Sequence, residues 1–151
     1  LDQLGLDGEG RLVLIELKNA HAQDAAFVYK APLQLLQYVH LWHAAMQFAK
    51  FRQDLSDLVH AKSSLGMLPG VAVERFDFSE QLRLRPVIGF GEYFTEQKYD
   101  PRRDRLEKLV QLINGSDKAL PPNVGPIELW EFNGGENGTS LRRMRRVELR
   151  T

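Results

Sequence analysis

The run Leu12-Val13-Leu14-Ile15 constrains this chain more than any other stretch. It is apolar at every position, and a strand with that pattern is expected to be covered on both faces, in the middle of a sheet. A shorter apolar run and a tight polar turn, Asp7-Gly8-Glu9-Gly10-Arg11, precede it, so that LDQLGLDGEGRLVLIELK reads as a β-hairpin. The strand ends in Glu16-Leu17-Lys18. Charges at the end of a buried strand cost on the order of several kcal/mol unless they are paired or bind a metal.

The register of the hairpin follows from its turn. With Gly8-Glu9-Gly10 as a three-residue loop and Gly10 left-handed, Asp7 faces Arg11. Leu6 then pairs with Leu12, Leu4 with Leu14, and Asp2 with Glu16. Opposed residues of an antiparallel pair share a face, with Cβ atoms about 4.5–5.5 Å apart. Asp2 and Glu16 are therefore expected to converge, with Lys18 on the same face. A four-residue loop would slip the register by one and part the two acids. Two carboxylates beside a lysine suit a hard cation such as Mg2+, which takes oxygen ligands and keeps several waters. The alternative is a structural Glu-Lys pair at a strand end, with Asp2 an acid near the chain terminus.

Asp2, thirteen residues, then Glu16-Leu17-Lys18 resembles the signature of the PD-(D/E)XK nuclease superfamily, an Asp followed at loose spacing by Glu-x-Lys. Gln34-Leu35-Leu36-Gln37-Tyr38 is similar to the Q-x-x-x-Y motif of its RecB-like branch. These motifs cover about residues 1–42, and the remainder resembles the family in its order of elements. Leu1 stands where the motif has proline. The chain also begins at the motif, like a piece trimmed from a longer one, without the helix that normally precedes it.

The resemblance implies an α/β fold with a restriction-endonuclease-like core, a mixed central β-sheet flanked by helices that lacks its N-terminal helix. It further implies a metal-dependent nuclease hydrolysing phosphodiester bonds, in DNA before RNA. Asp2 and Glu16 would hold Mg2+ or Mn2+ with the backbone carbonyl of Leu17 as a third ligand. Lys18 would orient water or stabilise the transition state, supported by Gln34 and Tyr38. The main rival is a nuclease-like nucleic-acid-binding module without activity, within a larger assembly; on either reading the partners are nucleic acid and, as a homodimer or larger assembly, other protein chains. A second rival is a purely structural interaction domain.

At 151 residues the chain is expected to be one domain, 1–151, large enough for a proper core. Hydrophobic content of 43% and charged content of 26% belong to an ordinary globular protein. The absence of cysteine excludes disulfides and thiolate zinc sites, and fits a reducing, cytoplasmic setting. No signal peptide or membrane-spanning run is visible, so no membrane partner is expected. A formal net charge of zero argues against a general nucleic-acid glue. Arg142, Arg143, Arg145, Arg146 and Arg150 nevertheless crowd the last ten residues, where they could follow phosphates or form a solvated edge.

Along the rest of the chain, residues 21–31 read as a loop. Pro32 opens a long helix to about Lys62, with Leu35, Val39, Trp42, Met46 and Ala49 facing the sheet. Gln34 and Tyr38, four apart, share one side of its first turns. His40 and His43 have the spacing of a shared metal ion but lack a third ligand. Gly66, Pro69 and Gly70 break the helix, and Phe76-Asp77-Phe78 reads as a short strand or a packed loop. Residues 85–93 read as a buried strand. Asp100-Pro101 opens a second helix with Leu106, Leu109, Val110 and Ile113 on its apolar face, ended by Gly115. A strand over 127–132 and the turn NGGENG lead into a return strand over 140–147. Asn114 and Asn137 sit in glycosylation sequons, but nothing else indicates secretion.

Overall fold

The structure is a computed structural model that describes residues 2–19, 28–68, 72–91, 101–134 and 141–146. Its hairpin closes on a three-residue loop in which Gly10 has φ 78°. The Asp7 N–H donates to the Arg11 carbonyl at 3.1 Å. Strands β1 (Gln3–Leu6) and β2 (Leu12–Asn19) therefore pair antiparallel as Leu6↔Leu12, Leu4↔Leu14 and Gln3↔Ile15, the register expected from the turn. The loop is also packed from outside. Arg75 Nη1 donates to the Gly8 carbonyl at 2.7 Å, and a Cβ on Gly10 would lie 2.8 Å from the Arg75 carbonyl oxygen.

Beyond β2 the sheet grows by parallel pairing. β3 (Leu84–Gly91) lies alongside β2, and β4 (Glu128–Gly134) alongside β3. β5 (Leu141–Arg146) returns antiparallel to β4, giving a mixed five-stranded sheet in the order β1-β2-β3-β4-β5. Each parallel step needs a crossover. Helix α1 (Ala31–Ala45) and α2 (Ala49–Ser64) lie between β2 and β3, and α3 (Pro101–Asn114) between β3 and β4.

Alternation along β2 points Leu12 and Leu14 to the helices, where both are fully buried. They share one core with Leu35 and Val39 of α1, Leu84, Ile88 and Phe90 of β3, and Leu106, Val110 and Ile113 of α3. The other face is covered less evenly than an all-apolar run predicts. Val13 is buried, Ile15 is half-buried, and Leu17 is 36% exposed. Among the described residues this face carries a polar cluster toward the start of β2 and β3.

The single long helix expected over 32–62 is two helices. The chain turns at residues 46–48, where Phe48 takes an extended conformation (φ −89°, ψ 120°). Met46 is buried and ends the apolar face of α1, whereas Ala49 is exposed. Arg52 stabilises the break by donating from Nη1 to the Met46 carbonyl at 2.7 Å and from Nε to that of Phe78 at 3.3 Å. The Phe76-Asp77-Phe78 segment is a packed loop following a 3-10 turn at Val73–Arg75, with the two phenyl rings stacked at 6.1 Å. Asp100, proposed as the cap of α3, lies outside the described residues.

The polar cluster centres on Arg85. Its guanidinium takes both oxygens of Glu128, at 3.1 and 2.9 Å, reaches Asp7 Oδ2 at 3.3 Å, and lies over the Trp130 ring. Trp130 Nε1 donates to Glu128 Oε2 at 2.8 Å. Asp7 also accepts from the Arg11 guanidinium at 2.7 Å and from the Glu9 and Arg11 N–H groups, both at 3.0 Å. Burial alone would raise the Asp7 carboxyl, but the Arg11 side chain and the two N–H donors together pull it below the ordinary carboxylate value.

Two outcomes follow from these contacts. Gly10→Ala should cost about 1–3 kcal/mol, since it adds a left-handed non-glycine residue and a backbone clash, whereas Gly8→Ala, in open space, should stay within about 0.5 kcal/mol. Urea titration of both variants measures the difference. Asp7→Asn should cost about 1–3 kcal/mol at neutral pH. A depressed folded pKa contributes stability above the unfolded value that is lost as pH falls through the folded one. The variant should therefore converge on the wild type in acid, which a series of melting curves from pH 7 downward will read.

Candidate functional site

The face of β2 that buries Leu12 and Leu14 next presents Glu16 and then Lys18. Both lie within the parallel ladder, opposite Ile88 and Phe90, near the C-terminal end of the strand. Glu16 is 4% exposed, an unusual burial for an acid. Lys18 Nζ donates to Glu16 Oε1 at 2.7 Å, so the buried carboxylate has a counter-charge in direct contact.

Asp2 joins this end of β2 by a route that strand register did not reveal. It is exposed and lies just before β1. Its N–H donates to the Ile15 carbonyl at 3.1 Å, and its Oδ2 accepts the Leu17 N–H at 2.7 Å. The chain thus leaves the regular ladder at Asp2, and the carboxylate caps the backbone of the residue beside Glu16. Within a strand, the N–H and C=O of one residue point to the same side. The Leu17 carbonyl is therefore directed toward the side on which Asp2 sits.

Gln34 and Tyr38 lie in the first turns of α1, which opens with proline and packs against β2 and β3. A crossover between parallel strands begins at the C-terminal end of the first strand, the end that carries Glu16 and Lys18. Gln34 is exposed and Tyr38 half-buried. Among the described residues the recorded hydrogen bond of Lys18 is to Glu16, and none joins Lys18 to either helix residue.

Other sequence candidates have local roles. His40 Nε2 meets the Ala119 carbonyl at 3.0 Å, and His43 Nδ1 meets Gln81 Nε2 at 2.7 Å, so each ring has its own protein partner. The Asn114 amide makes two bonds to the backbone of Ile127, from Nδ2 to its carbonyl at 3.0 Å and from its N–H to Oδ1 at 2.8 Å. That amide ties α3 to β4 and is not presented as a glycan acceptor. Asn137 and Arg150 lie outside the described residues. The backbone at Arg142, Arg143, Arg145 and Arg146 forms edge strand β5, with Arg145 paired to Glu131 and Arg143 to Asn133. The Arg85 cluster was not singled out from sequence. Its signal is the alternation Ile127-Glu128-Leu129-Trp130, which puts an acid and an indole together on one face.

The donor set at the end of β2 fits a hard divalent cation. It contains two carboxylates and a backbone carbonyl, all oxygen, with a lysine beside them. Among the described residues no group of three or more His, Cys, Asp or Glu side chains could hold a metal ion.

Comparison with protein-family models, curated proteins and solved structures finds no significant match to this chain.

Proposed function

We propose that the chain is a metal-dependent nuclease of PD-(D/E)XK type, RecB-like, with a restriction-endonuclease-like core, acting on phosphodiester bonds and most simply on DNA. The observation that carries this reading is the buried Glu16 beside Lys18 at the end of a central strand, with Asp2 bonded to the Leu17 N–H between them. The hairpin register, the parallel strands after it and the crossover helix carrying Gln34 and Tyr38 support it. In this reading Asp2, Glu16 and the Leu17 carbonyl hold Mg2+ or Mn2+. The ion, when bound, supplies Lewis acidity and a more acidic water.

The chain's own groups do the remaining work. Asp2 and Glu16 fix the position of positive charge at the strand end. Lys18 presents an ammonium to the anionic phosphate, where it offsets the charge that grows in the transition state. Gln34 and Tyr38 orient Lys18 or a phosphate from the helix. The arginines of β5 contact phosphates away from the cut. Lack of cysteine is consistent with a cytoplasmic setting, and no described helix is long and apolar enough to cross a membrane.

A second reading is favoured by a specific observation: Asp2 and Glu16 each already have a protein partner, the Leu17 N–H and Lys18. On that reading the chain is a nuclease-like nucleic-acid-binding module without activity, working in a homodimer or a larger assembly.

A thermal-shift titration with Mn2+, run beside a cleavage assay on single- and double-stranded DNA and RNA, separates the two. A ligand at ten times its Kd stabilises by about 1.4 kcal/mol, or about 3–6 °C for a chain of this size. Wild type and Lys18→Ala should show that rise, while Asp2→Asn and Glu16→Gln should lose it. All three variants should lose at least about 100-fold in cleavage. Equal Mn2+ responses in all four proteins would move the ion elsewhere. A wild type that binds DNA without cutting it would establish the second reading. Replacing Arg142, Arg143, Arg145 and Arg146 with Gln should weaken DNA binding and flatten its salt dependence, since fewer counterions are released. An unchanged slope would make those arginines an ordinary surface.

A further inference from the structure

One carboxylate at the strand end faces two claims. Glu16 Oε1 accepts the Lys18 ammonium at 2.7 Å, and the same side chain is a metal ligand in the reading above. We infer that Lys18 is the placeholder cation of this site: it neutralises the buried Glu16 while no divalent ion is bound, and leaves Glu16 for solvent when one arrives. The inference rests on the proposed metal site and adds an order of events to it.

Three observations carry it. The Glu16 side chain is 5% exposed, so its ionised form requires a counter-charge at contact distance, and Lys18 supplies it. A divalent ion would lie about 4–5 Å from an ammonium still held on the same Glu16 oxygen, and roughly 5–6 Å from it on the other oxygen, given metal–oxygen distances of about 2.1 Å and the 2.7 Å contact. The repulsion between charges of +2 and +1 at that separation weakens binding about tenfold even at the dielectric constant of water, and more in a less polar setting. The exit is open as well. The Lys18 side chain is 23% exposed and stands one residue from the end of β2, so rotation of its stem carries the head into water. Metal loading therefore delivers a free ammonium to the mouth of the site, where an anionic substrate enters. The metal binds first and the phosphate second.

The test uses the whole chain and Mg2+ alone, without nucleic acid. An ammonium locked to a carboxylate exchanges its protons slowly enough to be seen in a proton–nitrogen NMR spectrum, and Lys18→Met assigns the signal. In the wild type the Lys18 signal should be present without metal and should vanish as Mg2+ is added, with the midpoint that calorimetry gives for binding. Lys18→Met should bind Mg2+ at least about tenfold more tightly than the wild type. A Lys18 signal that persists at saturating Mg2+ overturns the inference and leaves the metal site standing. Failure of the wild type to bind Mg2+, or binding that Glu16→Gln does not weaken, overturns both. If Lys18→Met folds poorly, Lys18→Gln assigns the signal in its place.

Discussion

Parallel pairing of β2 with β3 is the constraint on which the rest of the molecule depends. Parallel neighbours cannot be joined by a tight turn, so the chain must leave β2 at its C-terminal end, cross one face of the sheet, and return. The crossover puts α1 over Leu12 and Leu14, and a second one puts α3 beside it. It also gathers the C-terminal ends of β2, β3 and β4 at a single edge of the sheet. In open α/β sheets that edge is where ligands bind, because strand ends and helix starts meet there. Glu16 and Lys18 occupy it, while the Arg85 cluster sits toward the opposite end and on the other face.

The two charged groupings show different physical logic. Arg85 is held on three sides by Glu128, Asp7 and the Trp130 ring, and links β3, β4 and the hairpin turn. Its partners satisfy it in several directions, as expected of a structural network. Glu16 and Lys18 are neighbours on one strand, and their contact joins no two elements. That contact pairs a buried carboxylate with an ammonium at the end of the strand.

What could be read in advance was whatever depends on local chemistry. Two glycines in a five-residue polar turn were enough to set the loop length, and the loop length set the register from Leu6↔Leu12 to Gln3↔Ile15. Of the apolar period read for α3, Leu106, Val110 and Ile113 are buried and Leu109 is half-buried. Misreadings arose where distant residues decide. The break at residues 46–48 is invisible in the helical period, because Arg52 stabilises it by bonding the Met46 carbonyl while anchored on the sequence-distant Phe78 carbonyl. The bond from the Leu17 N–H to Asp2 was hidden because register gives the strand position of a side chain but not the acceptor its tip chooses. The role of Arg85 was hidden within the strand read over 85–93, since Asp7 and Glu128 are far from it in sequence.

The break between α1 and α2 has a consequence for how the molecule fluctuates. α2 spans sixteen residues yet buries Leu55 and Val59 alone, and its contacts run chiefly to the 3-10 turn rather than to the sheet. It is held by Leu55 and Val59, by the ring contacts of Phe51 with Trp42 and of His60 with Phe78, and by the Arg52 guanidinium on the Met46 and Phe78 carbonyls. Such a segment opens as a cooperative unit well below the free energy of global unfolding. Opening of α2 would leave the contacts of α1 with β2 and β3 in place, and with them the strand end bearing Glu16.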